Sequence, residues 1–382
     1  MATPSSRRSP DMPDPYAFLS RTRLGLADWL EEMAQGLEPG RFRFCAQGSL
    51  APETGRQGLF ATCFAVKTAV QAGLWEAWPE ERKNACVAFI LSFQDDGGAF
   101  RDPWLACKAL LRLHHEFAAA LLGCGPWSAV FARTAINVRA ETRQAASTLR
   151  QVGAACSRPL PLPADDPTAV GRYARSLDWN HPWHAGSHFS HFLAMLSLNL
   201  EWFERPEDGP TMVAAALAFL EELRDAETGS WFRGRVDDDM KINGAMKVLT
   251  GLAWIEAPLP DPERLLDFAL SRPFLGDGCG ILNRLFVVRQ AARSLNYAHR
   301  PDEVRELGLR ALDVVKAHAS GDGGFMFFRD KAQTCYYGAK ISRGLPVGDL
   351  HAAMLFSWAA ALSAEMIALG RKDPDGWQPQ KP

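Results

Sequence analysis

Three groups of polar side chains have the types and spacing for chemistry. The most acidic is "GRVDDDMKINGAMKVL" at 234–249, where Asp237, Asp238 and Asp239 stand just ahead of an apolar helical pattern. Aspartate in that place either caps the helix and opposes its dipole or, crowded with its neighbours where water is scarce, is held protonated and acts as an acid. The second group is "DWNHPWHAGSHFSHF" at 178–192. Pro182 suits a first helical turn, and His184, His188 and His191 then fall at i, i+4 and i+7 on one face, beside Trp183 and Asn180. Three imidazoles so arranged serve as acid or base, hydrogen-bond a polar substrate, help to ligate a metal, or form a paired polar lining with no further role. The HExxH pattern of a metallohydrolase helix is absent. The third group, "DKAQTCYYGAKISRGLPVGDLHAAMLFSW" at 330–358, holds Tyr336 and Tyr337 and, two turns apart on a final apolar helix, His351 and Trp358. Such a lining suits stacking on a sugar or steadying a cation.

The stretch "SFQDDGGAF" at 92–100 resembles an acid site until it is set beside "DAETGSWF" at 225–232 and "SGDGGFMF" at 320–327. Three copies argue for a turn that recurs. Gly97 and Gly98 supply the permissive backbone of a helix exit, and Asp95 and Asp96 are expected at its solvent side.

The elements that position these groups are helices. Apolar residues recur at spacings of three and four almost throughout, and no long alternating segment rich in β-branched residues interrupts them, so an all-α class is expected. Segments with a charged face, about 21–37, 81–93, 141–155, 211–224, 261–271 and 303–318, alternate with more apolar ones, about 58–76, 104–122, 184–203, 239–256, 280–297 and 349–369. A charged stripe marks an outer layer, an all-round apolar helix an inner one. Ala85, Phe89, Ile90, Gln94, Gly98 and Phe100 recur at nearly the same offsets as Ala215, Phe219, Leu220, Arg224, Gly229 and Trp231. A looser copy runs Ala311, Val315, Gly323, Gly324, Phe325. Repeated αα-hairpins of this kind stack because none buries its face alone, and six of them close into an (α/α)6 toroid around a central cavity.

The pattern in "ACVAFILSFQDDGGAF" resembles the QW repeat of the squalene-hopene and terpene cyclase superfamily, whose toroid is shared with protein prenyltransferase β subunits. What the resemblance implies is an isoprenoid cyclase, with Asp237 at the proton-donor place of the DxDD motif and Asp238 after it; Arg235 stands where that motif has its first Asp. The prenyltransferase side of the resemblance implies a zinc site from Asp277 and Cys279 of "GDGCG" with His351, ligand types that leave a fourth position open. "DAETGSWF" is also similar to turns of several glycan-processing toroids, which implies a hydrolase, lyase or epimerase using a carboxylate or His with aromatic platforms. A non-catalytic binding toroid is the third reading.

Composition narrows the partners. The chain has 382 residues, 47% hydrophobic and 23% charged, with a net charge of −2 and both signs interspersed; no footprint for nucleic acid or an anionic membrane is visible. No apolar run reaches the roughly 18 residues of a membrane span; the ligand that the resemblances imply is a small isoprenoid or glycan. The eight cysteines are dispersed without a CxxC pair, which fits reduced buried thiols and a cytoplasmic protein. Residues 1–20 read as a disordered polar leader, 21–370 as one toroid domain and 371–382 as a tail. Within 156–180 the prolines of "RPLPLPADDP" argue against a helix and leave linker or lid open.

Overall fold

The computed structural model describes residues 14–55, 57–105, 122, 127–272, 278–371 and 376–381, with backbone alone over 127–136 and 278–279. The chain is mostly helical, as the periodicity requires. Its helices are α1 (Pro15–Ala34), α2 (Leu59–Gln71), α3 (Glu80–Leu91), α4 (Trp127–Gln151), α5 (Pro167–Ser176), α6 (Pro182–Phe203), α7 (Gly209–Leu223), α8 (Asp238–Trp254), α9 (Pro262–Leu270), α10 (Gly278–Ser294), α11 (Pro301–Ala317) and α12 (Leu350–Ile367). Proline at the first turn starts α1, α5, α6, α7, α9 and α11, where its missing N–H costs nothing. Aspartate caps others: Asp349 Oδ1 accepts from Ala352 N at 2.9 Å, and Asp237 Oδ1 from Met240 N at 2.8 Å.

Helices of alternate order pack side by side. α2 lies against α4, α4 against α6, α6 against α8, α8 against α10, α10 against α12, and α12 returns to α2. The intervening helices flank them: α3 touches α2 and α4, α5 packs on α7, α9 on α10, and α11 on α10 and α12. α2 is buried along its whole length, while α11 buries one stripe of Val304, Leu307, Leu312 and Val315. α12 is long and apolar enough to cross a membrane, but 83% of it is buried within the chain.

The repeated turns are equivalent in space. Gln94 bridges Phe100, Arg224 bridges Trp231 and Ala319 bridges Phe325, each antiparallel, and Phe100, Trp231 and Phe325 are buried. Asp95 builds its turn directly: Oδ1 accepts from Gly97 N and Ala99 N, both at 3.0 Å, and Oδ2 from Arg101 Nε at 2.8 Å. Asp96 lies exposed, paired with Arg158 at 3.0 Å. Gly98 is at φ +82°, and a Cβ there would stand 1.8 Å from the Pro159 carbonyl oxygen, so only glycine fits.

Four expectations change. Residues 15–20, read as leader, are the first turns of α1, started by Pro15 behind an Asp14 cap. The 141–151 segment, read as outer, packs between α2 and α6 in α4 and buries Glu141, Thr142, Ser147 and Thr148; its polar face points inward. Helix α5 occupies 167–176, because the last proline of the run stands at its first turn behind the Asp166 cap. A short antiparallel pair, β1 (Cys335–Tyr336) and β2 (Ala339–Lys340), with Tyr336 opposite Ala339, follows α11. The inner segment read at 104–122 lies largely outside the described residues.

Candidate functional site

Tyr336 and Tyr337 are carried inward by the β1–β2 hairpin. The Tyr336 ring lies 5.3 Å from Phe60, 5.5 Å from Phe64 and 5.7 Å from His351. His351, in the first turn of α12, is held by stacking on Phe64 at 4.7 Å and Phe327 at 5.3 Å. Its Nδ1 lies 2.7 Å from Gln333 Oε1; a carbonyl oxygen only accepts, so Nδ1 donates and Nε2 is left as an acceptor. Burial pushes this imidazole down to about 3, so it is neutral at physiological pH. Asp349 anchors the assembly: Oδ2 accepts from Phe327 N and Gln333 N, both at 3.0 Å, while Oδ1 caps α12.

The opposite wall comes from α4, α6 and α8. Arg139 Nη2 lies 3.5 Å from His188 Nδ1, and His191 sits in the field of Arg143, Lys247, His188 and Arg139. Burial first, then Arg139 and His184, push His188 down to about 4; burial first, then Arg143, Lys247, His188 and Arg139, push His191 well below its ordinary value. Burial lowers Arg143 to about 10, opposed by Tyr337 and Tyr336. Lys67, an amine well below its ordinary range through burial and the nearby Arg143, donates to Ser147 Oγ at 2.7 Å.

Glu141 joins the two walls, acting electrostatically on both tyrosines. Burial and then the Asp102 charge push its carboxyl up to about 8, against a hydrogen bond from the Asp102 backbone. Its Oε1 is buried without a hydrogen-bond partner, as are Nε of Arg139 and Arg143 and Nδ1 of His191. Asp102 is itself committed: Oδ2 accepts from Gly58 N at 2.8 Å and Leu59 N at 3.0 Å at the start of α2.

Arg143, His191, Tyr336, Tyr337 and His351 lie deep within the chain, yet each keeps part of its surface accessible. Arg143 acts on His191, both tyrosines act on Arg143, and Glu141 acts on both tyrosines, so an aromatic set, a cationic set and a buried carboxyl lie near one another inside the chain.

Close helix approach sets the cationic wall. A Cβ on Gly244 of α8 would stand 2.6 Å from Pro182 Cβ at the start of α6. This glycine lets the two helices meet, which brings Lys247 to His191.

Of the residues expected from sequence, His188, His191, Tyr336, Tyr337 and His351 come together. His184 and Trp183 are exposed, their rings 5.7 Å apart, on the outer continuation of the same face. Trp358 is 6% exposed and packs on Phe286 at 5.3 Å, a core contact rather than an open platform. The 237–239 run does not meet the condition for a crowded acid. Asp237 is an exposed cap; Asp238 pairs with Lys241 at 2.9 Å and Arg272 at 2.7 Å; Asp239 is exposed. Asp277 and the Cys279 side chain lie outside the described residues, and the His351 ring is already sandwiched and bonded to Gln333. Among the described residues no group of three metal-ligating side chains converges.

Sequence reasoning missed Glu141, Arg139, Arg143, Lys247 and Lys67. One had a readable signal: Lys67 is the single charge in "LFATCFAVKTAVQ", and a lone lysine inside an apolar helix needs a reason.

No protein-family model matches the chain, and no curated protein does. Among solved structures, a crystal structure of a protein from Actinoplanes is similar at 15% identity and a TM-score of 0.44, covering 92% of this chain and 100% of that one.

Proposed function

We propose that the chain is an enzyme of (α/α)6 toroid architecture that performs acid–base chemistry on a glycan in its interior. The closed sequence of contacts from α2 through α4, α6, α8, α10 and α12 back to α2 supports the toroid, as do the three equivalent turns. The observation that carries the function is the hydrogen-bonding character of the deep lining, Tyr336, Tyr337, Glu141, His191 and His351 with Gln333. A hydrocarbon has no use for such groups, whereas a sugar uses each.

Two members are set for opposite roles. Glu141 keeps its proton near neutral pH and donates as the general acid. His191, uncharged with Nδ1 unpartnered, accepts as the base. Environments that push two groups apart in this way assign acid and base. Tyr336 and Tyr337, 4.3 Å apart, offer faces against which a pyranose stacks.

The aromatic side favours a second reading, the isoprenoid cyclase implied by the QW-like repeat. Phe60, Phe64 and Tyr336 would steady a carbocation, and the acid would be Glu141 in place of the 237–239 run. Against it stand Arg139 and Arg143, whose fixed charge repels a cation. Glu141→Gln and His191→Asn, assayed on panels of acidic and neutral glycans and of isoprenoids, test both readings. Glycan turnover is expected to fall about a hundredfold or more in each variant. Turnover of isoprenoids alone, lost only in Glu141→Gln, would transfer the assignment to the cyclase.

A further inference from the structure

Arg289, a buried cation away from the cationic wall, has a carboxylate beside it. Arg289 is paired with Glu365 at 2.6 Å, and Glu365 also accepts from Tyr297 Oη at 2.7 Å. Arg139 and Arg143 differ. Among the described residues, the charges acting on His191 come from Arg143, Lys247, His188 and Arg139, and none is a carboxylate. Arg139 meets a histidine rather than an acid, and the Nε atoms of Arg139 and Arg143 face no acceptor.

Arg139 and Arg143 stand one turn apart on α4, each with its Nε buried and without a hydrogen-bond partner, and such groups are costly where water is scarce. The cost is offset when an oxyanion enters, because a guanidinium matches carboxylate and phosphate oxygens two at a time. Neutral His188 and His191 add a donor or acceptor without needing to be charged. Tyr336 and Tyr337 lie within electrostatic reach of Arg143, so the ligand has a charged end and a ring-shaped or apolar body.

We propose that Arg139 and Arg143, with His188 and His191, form an anion subsite that holds the carboxylate of an acidic sugar while its ring meets Tyr336. This rests on the glycan reading above and names its substrate class as uronic-acid-bearing rather than neutral.

Equilibrium binding by calorimetry on the full-length protein tests it, with glucuronate, glucose and inorganic phosphate as probes. Glucuronate is expected to bind at least about tenfold tighter than glucose, and more weakly as salt rises. Arg143→Gln is expected to weaken glucuronate about thirtyfold or more. Arg143→Lys keeps the charge and loses the fork, so it falls between, and it covers the case in which the glutamine variant does not fold. Glucose binding as tightly as glucuronate, or full glucuronate affinity in a folded Arg143→Gln, overturns the subsite. Phosphate binding without glucuronate binding also overturns it, in favour of a phosphate ester. Because binding is read without turnover, glucuronate binding with no glycan turnover removes the enzyme reading alone. Turnover of neutral glycans without anion binding removes the subsite alone.

Discussion

A buried carboxyl with one oxygen lacking a partner relieves its conflict by keeping its proton, and Glu141 does so up to about 8 against an ordinary value of 4.5. The unfolded chain releases that proton near the ordinary value. The contribution of Glu141 to stability is therefore complete below about pH 4.5 and is lost as pH rises through about 8. Glu141→Gln, neutral at every pH, is expected to flatten the decline of the urea midpoint between about pH 5 and 8; an unchanged slope would show that the group titrates normally. At this scale the site was partly legible. His188, His191, Tyr336, Tyr337 and His351 announced themselves by type and spacing, since histidines three and four apart share a helical face whatever the fold. Glu141, Arg139 and Arg143 did not, because charges in an amphipathic pattern read as a solvated stripe. Only packing shows that this stripe of α4 looks into the protein. Asp237, Asp238 and Asp239 were legible as a capping box of charge; their exposure was not, since it depends on where the start of α8 meets the surface.

Helix pairs transmit sequence to site through the places where backbones nearly touch. At Gly244 the added methyl of an alanine would meet Pro182 at 2.6 Å, with the Pro182 backbone carbon at 3.2 Å; a proline ring at a helix start has little freedom to yield. Gly244→Ala is expected to cost about 2 kcal/mol in urea unfolding and to shift the His188 and His191 imidazole resonances, because α6 must move off α8. Gly321→Ala, whose Cβ would meet nothing within 4 Å, should stay within about 0.5 kcal/mol of the parent. Equal costs for the two would show that the α6–α8 approach is not tight. The elements themselves were largely readable. The repeat placed three turns that the structure finds equivalent, and the charged-faced segments at 81–93, 211–224, 261–271 and 303–318 correspond to α3, α7, α9 and α11. What escaped were the β1–β2 hairpin, two residues per strand and too short for any periodicity, and α5, hidden because proline breaks a helix everywhere but at its first turn.

The described C-terminal residues lie across the C-terminal ends of several helices. Gln378 N donates to the Gln71 carbonyl at the end of α2 at 2.8 Å, and Gln151 Nε2 at the end of α4 donates to the Lys381 carbonyl at 2.6 Å. Lys381 reaches Glu256, just past α8, at 2.7 Å. Trp377 is 4% exposed within the main core. The segment read from sequence as a plain tail is thus pinned to the C-terminal ends of three helices, opposite the end where His184 and Trp183 are exposed. In the proposed toroid, closing this end would direct a ligand to enter past the histidine face. Truncating a buried tryptophan costs about 3–5 kcal/mol, so Trp377→Ala is expected to lower the midpoint of thermal unfolding by several degrees. The effect should also be local: amide exchange should speed in the last turns of α2 and α4, whose terminal carbonyl and side chain the segment satisfies, and stay unchanged in the first turns of α6. Exchange that rises equally at both ends would mean that Trp377 supports the core as a whole, and that residues 376–381 do not act as a seal.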